Sequence, residues 1–375
     1  MKIVYFHHGL FPSGSPSTSF ITYNLAGLVE AGADAQLLSV RFSPKPLAVM
    51  LKENFGIIIP LNIELINAGV LKRNHRFIWL RAYSHIEAIK PDVVITRNLG
   101  FLNTAFKLRS KIGCRVYFEA HDYFGEDPAS LKQNDRKRRK RHAREKSCIP
   151  KVDGLICVSQ GLADLFARQY PSVSALSAPT GVKTTVSQPK SKLTHRIGYI
   201  GTISDENYDH ELLFATLAEM KTENVKLVIA GINSQDQRKR METLARKYNV
   251  AQRTELLGWL APSAVDELKQ SLDLGLAPMR DNFFHSFSSP LKVMEYLAAG
   301  MPIVAPPLSA VSFIKDSECL LLAEPTPQAW AKKIDSFYLD EANVARLSQS
   351  ALKLAETRSW DKRAAQILRF IRTEK

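Results

Sequence analysis

No stretch of this 375-residue chain runs for about eighteen apolar residues without a charge, so no segment reads as a membrane span. The nearest, Phe55 to Ile63, is broken by Pro60 and followed by Glu64. Cysteine is scarce: Cys114, Cys148, Cys157 and Cys319 are scattered without metal-ligand spacing, and Cys114 and Cys157 fall in apolar runs. This argues against a zinc site or a disulfide framework and for buried free thiols in a reducing compartment, hence a cytoplasmic protein. The opening Met1–His8 has an apolar run too short for a signal peptide and reads as a strand. Gly-x-Gly-x-x-Gly is missing, which removes the dinucleotide fingerprint, and so is Asp-x-Asp. Acidic residues are in deficit, 37 against 51 Lys and Arg, leaving a net charge of +14 and an expectation of anionic partners.

What is present is an alternation of strand and helix, twice over. A strand at Lys2–His7 leads into a Gly/Pro/Ser loop, His8–Thr18, then a helix at Ser19–Ala31 closed by Gly32 and a strand at Ala35–Val40. Strands follow at Asp92–Thr96 and Arg115–Asp122, then at Val152–Ser159 with a helix at Gln160–Gln169. Ile57–Leu71 and the basic and aromatic run Lys72–Tyr83 suit either an interfacial segment or a buried helix with a charged end. Pro171–Leu193, rich in Ser, Thr, Pro and Lys, reads as a linker. The pattern restarts with strands at Arg196–Gly201, Lys226–Ala230, Thr254–Leu257 and Leu272–Ala277, separated by helices. The prediction is an α/β protein of two doubly wound domains with a cleft between them. Boundaries fall at 1–180, a linker at 181–195, 196–357, and a final helix at 358–375.

The stretch Ser286–Ala305 carries the most chemistry. Ser288 or Ser289 suits a helix cap, Pro290 its first turn, and Val293, Met294, Leu297 and Ala298 an apolar face; Gly300 ends it before a buried strand. Lys292 and Glu295, three apart, share a face near the helix start. A helix N-terminus beside a lysine suits a phosphate, and a carboxylate one turn on suits a ribose diol. A plain surface ion pair explains the same two residues.

Ser-Pro-Leu-Lys-Val-Met-Glu-Tyr-Leu-Ala-Ala-Gly-Met-Pro, from Ser289, resembles the nucleotide-sugar motif of the family-four retaining glycosyltransferases, which have the GT-B fold. The resemblance implies that Glu295 holds the donor ribose and that Lys292, with Ser289 and Leu291, lies near the donor phosphates. Many members have a further acid where this chain has Phe287. Gly198–Thr202 resembles the first strand of the donor domain, with Gly201 close to the diphosphate. Thr202 stands where an arginine is usual, and Asp205–His210 lacks the usual lysine. Lys292 and Arg280 would then carry the neutralising charge. Gly231, and Gly258 with Trp259, sit at strand ends on the donor side; Trp259 fits a base platform or a core aromatic equally. On the acceptor side the family implies Gly14 and Ser15 in the first loop, and His121 with Asp122 after a strand, where a His-Asp pair that anchors a loop is the plainer alternative. His121, Lys292 and Glu295 are the catalytic candidates.

The implied activity is sugar transfer from a nucleotide-diphosphate sugar, the co-substrate, to a glycan or lipid-linked acceptor, without metal or other cofactor and with retention. The alternatives are a nucleotide-sugar epimerase of the same fold, and a non-catalytic or basic nucleic-acid-binding protein. The run Arg136–Lys146 fits an anionic membrane surface, at the inner face of the plasma membrane, or a solvated helix. Nucleic acid ranks last, since no helix-turn-helix, zinc finger or aromatic platform accompanies it.

Overall fold

The computed structural model describes residues 1–11, 16–41, 46–57, 59–71, 74–125, 136–183 and 188–373. Gly14, Ser15, Glu126 and Asp127 lie outside them. The chain forms two compact units, Met1–Gly181 with Ser359–Lys375, and Val182–Arg358.

The first unit runs β1 (Lys2–Phe11), α1 (Pro16–Glu30), β2 (Asp34–Arg41), α2 (Leu47–Phe55), β3 (Asn62–Ile66), α3 (His75–Ile89), β4 (Val93–Thr96), α4 (Leu102–Ile112), β5 (Arg115–Ala120), α5 (Arg136–Cys148), β6 (Gly154–Cys157), α6 (Gln160–Gln169) and β7 (Ala175–Ser177). The strands form one parallel sheet in the order β3-β2-β1-β4-β5-β6-β7. Its central strands are buried on both faces, as β4 and β6 are along their whole length, because helices cover both sides.

The second unit contains β8 (Arg196–Ile200), α7 (His210–Glu219), β9 (Lys226–Ile232), α8 (Gln235–Lys247), β10 (Thr254–Gly258), α9 (Pro262–Gln270), β11 (Leu274–Leu276), α10 (Phe283–Phe287), α11 (Leu291–Ala298), β12 (Ile303–Ala305), β13 (Leu320–Leu322), α12 (Pro327–Tyr338) and α13 (Glu341–Thr357). Its parallel sheet has the order β10-β9-β8-β11-β12-β13, with a separate apolar cluster on each face. Two parallel sheets, each flanked by helices, make two Rossmann-like domains.

A last helix, α14 (Trp360–Thr373), belongs to the first unit. It buries Trp360, Arg363, Ala364, Ile367, Leu368 and Ile371, the spacing of one helical face. It crosses α1 at Gly27, where an added Cβ would lie 2.4 Å from the Trp360 carbonyl oxygen. Its Arg363, 4% exposed, bonds Glu119, 1% exposed, at 2.6 Å, and also the Asn24 side chain and the Ala178 and Pro179 carbonyls. Burial alone would raise the Glu119 pKa. Arg363, with His121 and Tyr5, overrides that and holds it well below the usual carboxylate range.

Three local expectations are corrected. The stretch taken as linker, Pro171–Leu193, contains β7, and its Lys190 is bonded into the second unit through the Ser348 hydroxyl and the Lys269 and Gln270 carbonyls. Pro290 is the N-cap residue of α11, not its first helical residue, and having no side-chain acceptor it makes no cap bond. The Ser288 hydroxyl lies instead 3.5 Å from His285 Nδ1. Ile57–Leu71 gives β3 and a short 3₁₀ turn, and Lys72–Tyr83 contributes the start of α3. Among the described residues no helix is long and apolar enough to cross a membrane, and the four cysteines are free and buried.

Candidate functional site

In each sheet the strand order reverses beside the first strand, between β1 and β4 and between β8 and β11. Ligands of open parallel sheets sit beyond the carboxyl ends of the strands at such points.

In the second unit the backbone there is bare. Gly201 follows β8 with φ 154°, and Gly231 at the end of β9 has φ 109°. The Gly201 N–H donates to the Ala230 carbonyl at 3.0 Å, and a Cβ on Gly231 would stand 2.2 Å from the Gly201 carbonyl oxygen. The positive φ disfavours a side chain at both positions, and at Gly231 the neighbouring backbone excludes one outright.

Helix α11 is locked against this turn by Tyr296. Its hydroxyl accepts from the Ile200 N–H at 2.8 Å, and its ring occupies the space that a Cβ on Gly275 would enter, 2.4 Å from Cδ2. One turn earlier, Lys292 reaches under Gly201: its Nζ lies 2.9 Å from where a Gly201 Cβ would be. The amine sits over the rings of Tyr199 and Tyr208, 3.9 and 3.5 Å from their centroids, and is buried with no hydrogen-bond acceptor. Burial pushes its pKa well below the usual lysine value; Glu295 opposes that only in part. The ring faces offset some of the lost hydration.

The pair of sequence neighbours is therefore split. Glu295 is exposed, while the Lys292 amine is enclosed without a carboxylate partner. The enclosure includes His210 and His285, each lowered to about 4, first by burial and then by Lys292, so both stand neutral at physiological pH.

Arg280 is exposed, but its charge is engaged. Its Nε donates to the Asp205 carbonyl at 2.9 Å and its Nη1 pairs with Asp209 at 3.2 Å. With the Arg280 N–H on the Asn207 carbonyl and His285 Nε2 3.0 Å from the same oxygen, it fastens the loop after β8 to the segment before α10. Thr202 is exposed, and its carbonyl accepts the Tyr199 hydroxyl at 2.6 Å. Ser289 and Leu291 are half-buried at the entry to α11, and the ring of Phe287 packs edge-on against Phe283. Gly258 ends β10, and Trp259 beside it is 74% exposed, so it is no core residue.

In the first unit side chains, not bare backbone, crowd the corresponding place. His7 and His8 lie in β1 just past its last pair with β4, where its register with β2 also shifts; Arg97 follows β4, and His121 follows β5. His121 packs edge-on against Phe20, and its buried Nε2 lies 3.7 Å from Glu119 with no hydrogen bond. Its pKa is lowered by burial and then by Arg97, against the pull of Glu119. Asp122 is exposed. His7, His8, Arg97, Tyr199 and Tyr208 were not singled out from the sequence. Tyr208 sits in a polar loop and the others in runs whose pattern is that of an ordinary strand or strand end, and only the topology brings them to the two reversal points.

Residues 17–185 match the profile described as Glycosyltransferase Family 4, and residues 194–340 that described as Glycosyl transferases group 1; together they span more than four fifths of the chain. No curated protein matches the sequence. Among solved structures, the chain resembles sucrose-phosphate synthase from Thermosynechococcus elongatus at 17% identity and a TM-score of 0.72, covering 99% of this chain and 98% of that one. It also resembles HepE of Anabaena in complex with UDP-glucose, at 15% identity and a TM-score of 0.72 over 100% of both chains. WaaG, a glycosyltransferase involved in lipopolysaccharide biosynthesis, aligns at 15% identity and a TM-score of 0.63, over 97% and 99%.

Proposed function

We propose a donor and an acceptor side for this chain, which belongs to the group 1 glycosyltransferases of GT-B fold and is a glycosyltransferase. The second unit holds a nucleotide-diphosphate sugar, as HepE holds UDP-glucose. The diphosphate lies against the bare turn at Gly201 and Gly231 and the start of α11. Lys292, behind that turn, supplies the charge. The observation that carries this reading is the enclosed Lys292 amine, which has no acceptor of its own and lies directly under a glycine. A cation buried without a counterion costs stability, and an arriving phosphate repays that cost. Glu295 takes the ribose hydroxyls, Trp259 the base, and Ser289, Leu291 and Thr202 line the phosphate side.

In the reaction the bond from the anomeric carbon to the diphosphate oxygen breaks and a bond to an acceptor hydroxyl forms. Charge growing on the leaving diphosphate is met by backbone N–H groups, the helix end and Lys292, none of which must move into place as the bond breaks. That arrangement calls on no metal. Retention, with attack from the face the diphosphate leaves and the diphosphate taking the acceptor proton, follows the family resemblance. His121 and Asp122 are assigned to the acceptor side with the first loop.

The acceptor is proposed to be a glycan or lipid-linked molecule at the inner face of an anionic membrane. Support comes from α5, where Arg136, Arg139, Lys140, Arg141, Arg144 and Lys146 are all exposed, and from the resemblance to WaaG. Replacing Lys292 or Glu295 with Ala should abolish both donor hydrolysis and transfer, read as nucleotide release from a panel of nucleotide sugars. Unchanged turnover in both variants rejects the assignment.

A further inference from the structure

The first unit ends its sheet in an unbalanced charge. Arg97 leaves β4 at the strand-order reversal, from a turn held by the Thr96 hydroxyl on the Phe6 carbonyl at 3.1 Å and by the Gly100 N–H on the Asn98 side chain at 2.8 Å. Among the described residues Arg97 has neither an ion-pair nor a hydrogen-bond partner; its guanidinium lies 5.6 Å from the Phe20 ring centroid. The buried carboxylate of this region, Glu119, is already taken by Arg363 at 2.6 Å and by the Tyr5 hydroxyl. That pair cancels and leaves Arg97 as the surplus.

Three imidazoles accompany it. His7 is 6% exposed, with its Nδ1 buried and unpartnered; its ring folds over Gly9, where a Cβ would stand 2.2 Å from Nε2. His8 Nδ1 is likewise buried and unpartnered, and His121 Nε2 makes no hydrogen bond. Burial is the main cause of lowering for all three, with Arg97 contributing to each, so the rings are neutral at physiological pH. A neutral imidazole can donate one N–H to an anion without adding charge. A half-buried guanidinium with no carboxylate, in electrostatic reach of three imidazoles that each hold a buried, unpartnered nitrogen, is incomplete as folded structure. Polar groups in that state are either costly or waiting for a ligand.

We propose that the carboxyl end of this sheet receives an anionic group of the acceptor, a phosphate or a carboxylate, paired with Arg97 and hydrogen-bonded by His7, His8 and His121. The proposal rests on assigning the first unit to the acceptor, and it narrows the acceptor to molecules that carry a negative group. Arg97 serves it better than lysine would, because its planar fork matches two oxygens of one phosphate or carboxylate.

The test uses the full chain with labelled histidine and follows the ring-proton NMR signals, assigned by His7→Gln, His8→Gln and His121→Gln. Inorganic phosphate, glycerol 3-phosphate and glycerol are titrated at constant ionic strength, with no nucleotide present. The expected result is a saturable shift of the three signals with both phosphates and none with glycerol. Arg97→Gln should weaken the response at least ~10-fold, and Arg97→Lys less, as charge-assisted bidentate bonds predict. Lys292→Ala should leave it intact. The histidine spectrum without phosphate checks that each variant is folded. A second arm replaces the soluble phosphates with phosphatidylcholine vesicles containing phosphatidic acid. Shifts with vesicles alone assign the anion to a lipid headgroup, and shifts with the soluble monoester to a free acceptor. The proposal is overturned by no saturable shift from any anion, by an equal response in Arg97→Gln, or by loss of response in Lys292→Ala. No turnover enters this measurement. A chain that binds phosphate here yet moves no sugar would sink the transfer reading alone, and active transfer without this binding would sink only the anion site.

Discussion

The two sheets reverse strand order in the same way and furnish their carboxyl ends by opposite means. Beyond β8 the chain withdraws its side chains: Gly201 and Gly231 bring main chain against main chain, and the amine of Lys292 is kept beneath Gly201. Along the second half of β1 and beyond β4 and β5 the chain presents side chains, His7, His8, Arg97 and His121, over a floor fixed by the Glu119–Arg363 pair. A surface of main chain stripped of side chains suits a moiety that never varies, such as a diphosphate. A surface of side chains can change from protein to protein without disturbing the backbone, which suits a partner that does vary.

The contrast can be broken at four places. The largest effect is expected in the floor of the first unit. Arg363→Met leaves Glu119 buried and unpaired and should cost about 3–5 kcal/mol in denaturant unfolding. Because Glu119 is held below its unfolded value, the pair's contribution is complete above the ordinary glutamate pKa and is lost as pH falls below it. The variant should not show that acid-side loss. Next come the glycines. Gly231→Ala meets backbone at positive φ and should cost roughly 1–3 kcal/mol, along with nucleotide binding. Gly9→Ala meets only the His7 ring, which can swing aside, and should cost clearly less in the same denaturant unfolding. Equal losses would erase the distinction drawn between the two surfaces.

Trp259→Ala should change stability by no more than about 0.5 kcal/mol, since the ring is exposed, and weaken nucleotide binding by about 0.5–1.5 kcal/mol through lost stacking. Calorimetry separates the two effects. The gentlest effect is on pH. A diphosphate beside the depressed Lys292 amine favours its charged form, so affinity should fall, with proton uptake on binding, as pH rises through that depressed pKa, by at most about tenfold per unit. Binding heats in buffers of different ionisation enthalpy report the proton directly, and Lys292→Met should abolish it. A wild-type affinity that stays flat all the way up to the ordinary lysine pKa would mean that the amine is not the diphosphate's partner.

The doubly wound architecture was legible because strand–helix alternation and glycines after apolar runs are local signals. So was α11, whose apolar face Val293, Met294, Leu297 and Ala298 is buried as its spacing requires. The misreadings have physical causes. Strand β7 has three residues within a Ser/Thr/Pro-rich run, and its pairing to β6, not its composition, makes it a strand. Lys292 and Glu295 have the spacing of a surface pair, but a lysine stem is long enough to turn under the sheet end once two tyrosines offer their faces. Nothing near Glu119 announces a partner 244 residues away. The imidazoles and Arg97 share a place only because parallel strands deliver their ends to one edge.

The return of α14 to the first unit bears on how the polypeptide matures. Synthesis proceeds from the amino end, so the first sheet emerges from the ribosome well before Ser359–Lys375 can reach it. Until then Glu119 has no guanidinium and the groove beside Gly27 stands open. The second unit is contiguous, Val182–Arg358, and is translated whole in that interval. The unit made first is thus the one finished last, and a nascent chain cut short at Arg358 would carry a complete second unit joined to a first unit that lacks its closing helix.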